Sequence, residues 1–369
     1  RFATLPAMDE LPSADAIRGA IQDEVSVCGG CGAKVGAPGL AAVLADLAEE
    51  FPRYCPPQDV ADDVSPIPDA GGLPVVQSLD LLRELVADPW VMGRIAANHA
   101  LSDLYACAAM PLSALAAVTL PFAADALLRR DLRQVLAGAL HEFALADCQL
   151  GGGHSMQGPE LLVGFAVNGR AMNPERGLLA KRGAKDGDAL VLTKPLGTGV
   201  LFAAQMRQLA DGRDIAAAIA MMLQSNRVAA ELALAHGASA STDVTGFGLL
   251  GHLLEMLGEQ QAASVNLSAI PALAGAREQL AAGVRSTMHE ANGELMEELE
   301  FATGVEHNDA DLLLDPQTSG GRLVALDPAR ADEYCAQLLA NGFSQAARVG
   351  VIEGVAGVAG RVRLQASPA

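Results

Sequence analysis

The chain has 369 residues, 51% of them apolar and 19% charged, which gives enough length and core-forming material for two domains and excludes a disordered polymer. Asp and Glu number 44 against 25 Lys and Arg, a formal net charge of −19. So acidic a surface repels nucleic acid and anionic lipid, so any phosphate the protein handles must be met locally, through metal ions lying between carboxylate and phosphate.

Residues 1–24, with Pro6 and Pro12, read as a tail or linker; Arg1-Phe2-Ala3-Thr4 begins no signal-peptide apolar region, and the missing start methionine reads as a piece excised or processed from a longer chain. After a glycine cluster, Leu40, Val43, Leu44, Leu47 and Phe51 recur at helical spacing. A Pro/Asp-rich loop then leads to an expected strand over 74–79 that ends at Asp80. A helix is expected over 90–109, a strand over 113–120, a helix over 131–146 and a strand over 161–167. The uncharged run 104–124 is long enough to span a bilayer, but Pro111, Ser113, Thr119 and Pro121 mark it as a helix end, turn and strand, so no membrane span is expected.

The alternation repeats from Met172: a strand over 189–193, a long alanine-rich helix over 214–236, a helix over 249–257, and strands over 322–326 and 348–352. Mixed elements in two halves, 25–171 and 172–369, indicate an α/β to α+β protein. Six cysteines at irregular spacing do not form a secreted disulfide framework, and a cytoplasmic protein is expected.

Three groups of residues could carry chemistry. In Cys28-Gly-Gly-Cys31-Gly-Ala-Lys34 a lysine three residues from a thiol favours thiolate on a loop that glycine keeps open. The same string is also half of a zinc site, without a second CxxC to complete it, or a plain glycine turn. Asp62, Asp63, Asp80, Asp103 and Asp243 stand at element ends and in loops, where each could be a cap or, converging, a site for hard divalent cations. His99 and Asp103, four apart, share a helix face as a structural pair or a site pair. Gly151-Gly-Gly-His154-Ser155 and Asp315-Pro-Gln-Thr-Ser-Gly-Gly321 are loops able to aim backbone N–H groups at phosphate, or ordinary surface turns. Gly246-Phe-Gly-Leu-Leu-Gly251 has the form GxGxxG but lacks the acidic residue expected about 20 positions on, so a dinucleotide fold is a poor reading. A helix N-terminus facing an anionic ligand, with Asp243 on a metal, fits it better.

Together these strings resemble the selenophosphate synthetase (selenide, water dikinase) family, within the aminoimidazole-ribotide-synthetase-like superfamily. The matching stretches are Gly30-Cys31-Gly-Ala-Lys34, Asp62-Asp63, Gly93-Arg-Ile-Ala-Ala97, Ala100-Leu-Ser-Asp103, Gly152-Gly-His-Ser155, Leu192-Thr-Lys-Pro-Leu-Gly197, Thr242-Asp-Val-Thr-Gly-Phe-Gly-Leu-Leu-Gly-His252 and Asp315 to Gly321. They run in the family's order from residue 28 onward.

The resemblance implies an N-terminal α/β domain that binds ATP and pairs with its twin in a homodimer through a shared β-barrel, beside a C-terminal α+β domain. It implies Cys31 as the catalytic cysteine and Lys34 as an essential lysine that also reaches the nucleotide. Asp63, Asp103 and Asp243 would be magnesium ligands, with Asp103 also facing the nucleotide. Asp62 and Asp80 would contact ATP, and Gly152, Gly153 and His154 would reach it from the partner subunit. The implied reaction takes ATP, selenide and water to selenophosphate, orthophosphate and AMP. The family usually has Asn where His99 stands, Ala-Met-Gly-Gly where this chain has Ala106-Cys-Ala-Ala109, and an aromatic pair in place of Leu81-Leu82; residues 283–292 follow it loosely. These departures resemble the subgroup fused behind an NADH-dehydrogenase-like flavoprotein. The rival readings are phosphoryl transfer to sulfide or a small metabolite on the same scaffold, and a nucleotide-binding regulatory module of a larger redox protein.

Overall fold

The computed structural model describes residues 65–66, 75–305, 310–354 and 362–366. The expected tail over 1–24 and the helix around 40–51 lie outside the described residues. Two sheets organise the rest. The first has the order β1-β2-β5-β3-β4, from β1 (Ser65–Pro66), β2 (Val75–Arg83), β3 (Ala109–Pro121), β4 (Gln149–Gly158) and β5 (Leu162–Ala171). Neighbours are antiparallel except β3 and β4, which run parallel and therefore need a crossover between them.

That crossover is α2 (Asp125–Leu145), which lies with α1 (Pro89–Ala106) on one face of the sheet. Asp88 starts α1: its carboxylate accepts from the N–H groups of Trp90 and Val91, and Pro89 takes the first turn, where no N–H is missed. The two helices meet at Gly93 and Gly138. A Cβ at either would sit 2.0 Å from a carbonyl of the other helix, so only glycine permits this approach. The uncharged run resolves into the end of α1, a turn in which Ala108 takes φ +56°, and β3. No described helix is long and apolar enough to cross a membrane.

Strand β2 runs past its expected end to Arg83, because β5 supplies a backbone partner for all nine residues. Asp80 therefore stands inside the strand and not at its end. Val76 and Leu82 are buried beneath the helices, while Gln77, Leu79 and Leu81 point to the open face.

The second sheet has seven strands in the order β7-β10-β6-β11-β8-β12-β9. They are β6 (Ala189–Leu192), β7 (Ala240–Asp243), β8 (Gln261–Asn266), β9 (Leu299–Phe301), β10 (Arg322–Leu326), β11 (Ala347–Gly354) and β12 (Val362–Gln365). Among its described strands, β8-β12-β9 pair in parallel and the rest antiparallel. Leu190, Leu192 and Leu323 face a core shared with α3 (Thr198–Met206), α4 (Gly212–Met222) and α6 (Gly248–Met256). On the other side Val191, Val324 and Leu326 pack with Ala229 and Ala233 of α5 (Arg227–Ala235). The smaller helices are α7 (Ala276–Ala281), α8 (Thr287–Gly293) and α9 (Asp311–Leu314); α10 (Pro328–Ala340) adds Tyr334 and Leu338 to the second core.

The long helix expected over 214–236 is two helices, α4 and α5. The carbonyl of Gln224 accepts from the Lys194 ammonium, and the Asn226 side chain donates to Ser102 Oγ and the Gly320 carbonyl. Those tertiary bonds replace the helical ones and break the helix at its polar Gln224-Ser225-Asn226 segment. The GxGxxG string follows β7, an edge strand paired antiparallel to β10, so it stands outside any parallel dinucleotide-binding unit.

Candidate active site

The site is built where β2, α1 and the loops of the second sheet meet. On β2, Ser78 and Asp80 share the helix-facing side with Val76 and Leu82. On α1, Ile95, His99 and Asp103 recur every four residues and so line one face. The Ser78 hydroxyl donates to Asp103 Oδ2. His99 Nε2 lies 3.7 Å from Asp80 Oδ1. Thus two carboxylates singled out from sequence stand on facing elements, each with a polar partner across an otherwise apolar seam.

The opposite wall is the second sheet. Asp243 ends β7, against which α1 packs, and is buried. Its Oδ2 has no hydrogen-bond partner among the described residues. A buried carboxylate oxygen without a donor is costly, and a bound cation removes the cost. Lys194 follows β6 and is also buried; its Nζ donates to the carbonyls of Gln224 at 2.6 Å and Ser319 at 3.2 Å. Burial pulls this amine down to about 7, with the negative charge of Asp243 working the other way. Arg322 ties the walls together, donating to the carbonyl of Ala106 at 3.1 Å and to Ser241 Oγ at 2.6 Å.

The loop 315–321 is neither a surface turn nor an open phosphate cradle, because its polar groups are used inside the protein. Gln317 Oε1 accepts from the N–H groups of Gly197 and Thr198, capping α3. The backbone N–H of Gln317 donates to the Thr245 carbonyl, that of Thr318 to Thr198 Oγ1, and that of Ser319 to His99 Nδ1 at 3.2 Å. Asp315 is fully buried, which pushes its carboxyl up to about 8 despite a hydrogen bond from Gln317.

The glycine run Gly151 to Ser155, expected as a loop, lies within edge strand β4. Gly152 and Gly153 take φ +146° and +148°, and a Cβ on Gly153 would meet the Ala116 carbonyl at 2.1 Å. With Leu132 and Leu136 of α2, Gly152, Gly153 and His154 line a cleft of about 280 Å³. β4 stands three strands from β2, about 14 Å at ordinary strand spacing, so within one chain these residues lie far from Asp80.

Cys28, Cys31, Lys34, Asp62 and Asp63 lie outside the described residues. Among the described residues no three His, Cys, Asp or Glu side chains gather closely enough to hold a metal by themselves. Sequence reasoning held Lys194 and Gln317 within matching strings but gave neither a role of its own, and it did not single out Arg322. A lysine two residues after the apolar strand Ala189–Leu192 was the available sign that a cation enters the core.

The chain is similar to known proteins over most of its length. The AIR synthase related protein family matches twice, its N-terminal domain over residues 62–171 and its C-terminal domain over residues 185–363. A selenide, water dikinase from Burkholderia orbicola is 38% identical over 336 residues, covering 89% of this chain and 94% of that protein. A protein of the same name from Desulfitobacterium hafniense is 36% identical over 334 residues, covering 88% and 94%. Among solved structures, thiamine monophosphate kinase from Aquifex aeolicus has a TM-score of 0.62 at 15% identity, covering 90% of this chain and 97% of that one. The hydrogenase maturation protein HypE in complex with ATP has a TM-score of 0.61 at 20% identity, covering 79% and 81%. At those identities the likeness is one of fold.

Proposed function

The chain belongs to the selenide, water dikinase family, and from that premise we propose how its residues make selenophosphate from ATP, selenide and water, with release of AMP and orthophosphate. The observation that carries the reading is the buried Asp243 carboxylate, one oxygen of which has no donor among the described residues, set in a wall against which the Asp103 helix packs. In a protein of net charge −19, carboxylates so placed meet a triphosphate only with cations between them.

In this reading Asp63, Asp103 and Asp243 hold Mg²⁺. The donor set fits that ion, being all carboxylate oxygen, and bound Mg²⁺ neutralises phosphate charge during transfer. The Ser78 hydroxyl donates to one oxygen of Asp103 and so fixes the orientation of that carboxylate. Asp62 and Asp80 contact the nucleotide, and Lys34 supplies a further positive charge to it. Cys31, as thiolate, positions the selenium nucleophile for attack. Lys194 keeps the inner wall rigid by holding two backbone carbonyls at once.

A second copy of the chain completes the site. Leu79, Leu81, Leu115 and Met156 stand about half exposed or more on the sheet face away from the helices, a surface that calls for a cover. Strand register aligns Leu79 with Ala166, Leu115 and Gly152 in one row, and Leu81 with Gly164, Ala117 and His154 in the next. Gly152 and His154 thus belong to the rows on which a partner would lie, and supply the partner's ATP. The compartment we assign is the cytoplasm.

Calorimetry of Mg-ATP binding tests the metal reading. Asp103→Ala and Asp243→Ala should each abolish binding; undiminished affinity in both would remove the carboxylate bridge.

A further inference from the structure

We propose that His99 is a positioning residue, which holds Asp80 in its working orientation and ties that orientation to loop 315–321 of the second sheet. The inference rests on the reading that Asp80 contacts ATP. His99 is completely buried, yet both of its ring nitrogens are directed. Nδ1 accepts from the Ser319 N–H at 3.2 Å. A neutral imidazole whose Nδ1 is an acceptor carries its proton on Nε2. That Nε2–H faces Asp80 Oδ1 at 3.7 Å, beyond hydrogen-bond length but within the range where a dipole in a poorly screened interior orients a carboxylate.

The donor on the other side is built with care. Ser319 takes φ +50°, a left-handed conformation that a residue with a side chain adopts only when its surroundings impose it. Three bonds impose it here: the Ser319 hydroxyl donates to the Met222 carbonyl at 2.8 Å, its own carbonyl accepts from Lys194, and its N–H is left aimed at His99. Neighbouring bonds fix the same face of α1 to the second sheet's helices, from Asn98 to the Leu223 carbonyl at 2.9 Å and from Asn226 to Ser102 Oγ at 2.9 Å. A ring wanted only for volume requires none of this. The arrangement makes the rotamer of Asp80 depend on where loop 315–321 sits.

Two measurements test it on the full chain. In the unmodified protein, nitrogen-detected NMR of labelled histidines should show His99 as the neutral Nε2–H form. An Nδ1–H or doubly protonated ring overturns the proposal. Steady-state kinetics then compare His99→Leu, His99→Asn and Asp80→Asn. We expect His99→Leu to raise the KM for ATP about tenfold, with a smaller change in kcat, the loss of one directed polar contact. His99→Asn, with one donor and one acceptor, should recover most of the loss. Adding His99→Leu to Asp80→Asn should cost nothing further. If Asp80→Asn leaves the ATP KM unchanged, the ATP-contact reading fails and the inference with it. If Asp80→Asn raises KM but His99→Leu does not, the ATP reading stands and the role of His99 is refuted.

Discussion

Gln317 caps the helix that begins at Thr198: its Oε1 accepts both the backbone N–H and the hydroxyl of Thr198 at 3.2 Å. The same oxygen takes the Gly197 N–H at 3.0 Å, so one side chain satisfies the first orphan donors of α3 in a place water does not reach. Loop 315–321 is therefore part of the frame on which the site stands.

Replacing Gln317 with leucine keeps the volume and removes the acceptor. The buried donors then go unmet, and we expect a loss of about 2–3 kcal/mol in unfolding free energy. Urea titration reads this directly; a loss under about 0.5 kcal/mol, the range of a neutral surface change, would show the cap to be dispensable.

Asp315 gives the frame a pH signature. Its carboxyl is raised by burial from 3.8 to about 8, so between those values the unfolded chain gives up a proton that the folded chain keeps. Stability from this group is full below 3.8 and falls as pH rises, by up to about 1.4 kcal/mol per pH unit. Lys194, lowered from 10.5 to about 7, acts oppositely above pH 7, and His289, held below its ordinary value chiefly by burial, acts oppositely below 6.5, so the comparison is with the unmodified chain from about pH 5 to about pH 6.5. Asp315→Asn should flatten the slope in that window. An unchanged slope would mean that Asp315 is ionised in the folded protein.

Strand β2 and the face of α1 were legible because alternation and four-residue spacing are local patterns that survive folding. Asp80 and Asp103 could thus be singled out, although the end of β2 could not, since β5 decides it. The helix break at Gln224 to Asn226 was invisible for the same reason: alanine-rich sequence favours helix on both sides, and the acceptors and donors that win come from Lys194, Ser102 and Gly320. The run Gly151 to Gly153 read as a loop because glycine disfavours strands; the β3 ladder overrides that and then needs glycine for its φ values. The small polar residues of 315–321 look like a surface turn, and nothing in their spacing reveals that every one is buried.

Gly153→Ala tests the glycine requirement. Its Cβ would press on the Ala116 carbonyl at a backbone angle alanine avoids. We expect β4 to detach from β3, which hydrogen exchange would report as loss of protection over 149–158, together with weakened ATP turnover. Protected amides in a fully active variant would contradict the strand's fit.

Charge on the open sheet face tests the partner. Leu79→Glu combined with Leu115→Glu places two carboxylates in one row of the proposed interface, with little effect on the core beneath. Sedimentation should give a dimer for the unmodified chain and a monomer for the variant, with ATP turnover lost in the monomer. A monomeric unmodified chain with full turnover would dismiss the second copy.

³¹P NMR under anaerobic, reducing conditions shows whether carboxylate-held Mg-ATP phosphorylates selenide. With ATP, Mg²⁺ and selenide, a selenophosphate resonance should grow together with orthophosphate and AMP in equal amounts. No such resonance should appear when selenide is withheld or when Asp243→Ala replaces the unmodified protein. ATP consumed at the same rate with and without selenide, with no selenophosphate formed, would rule out selenide as the acceptor.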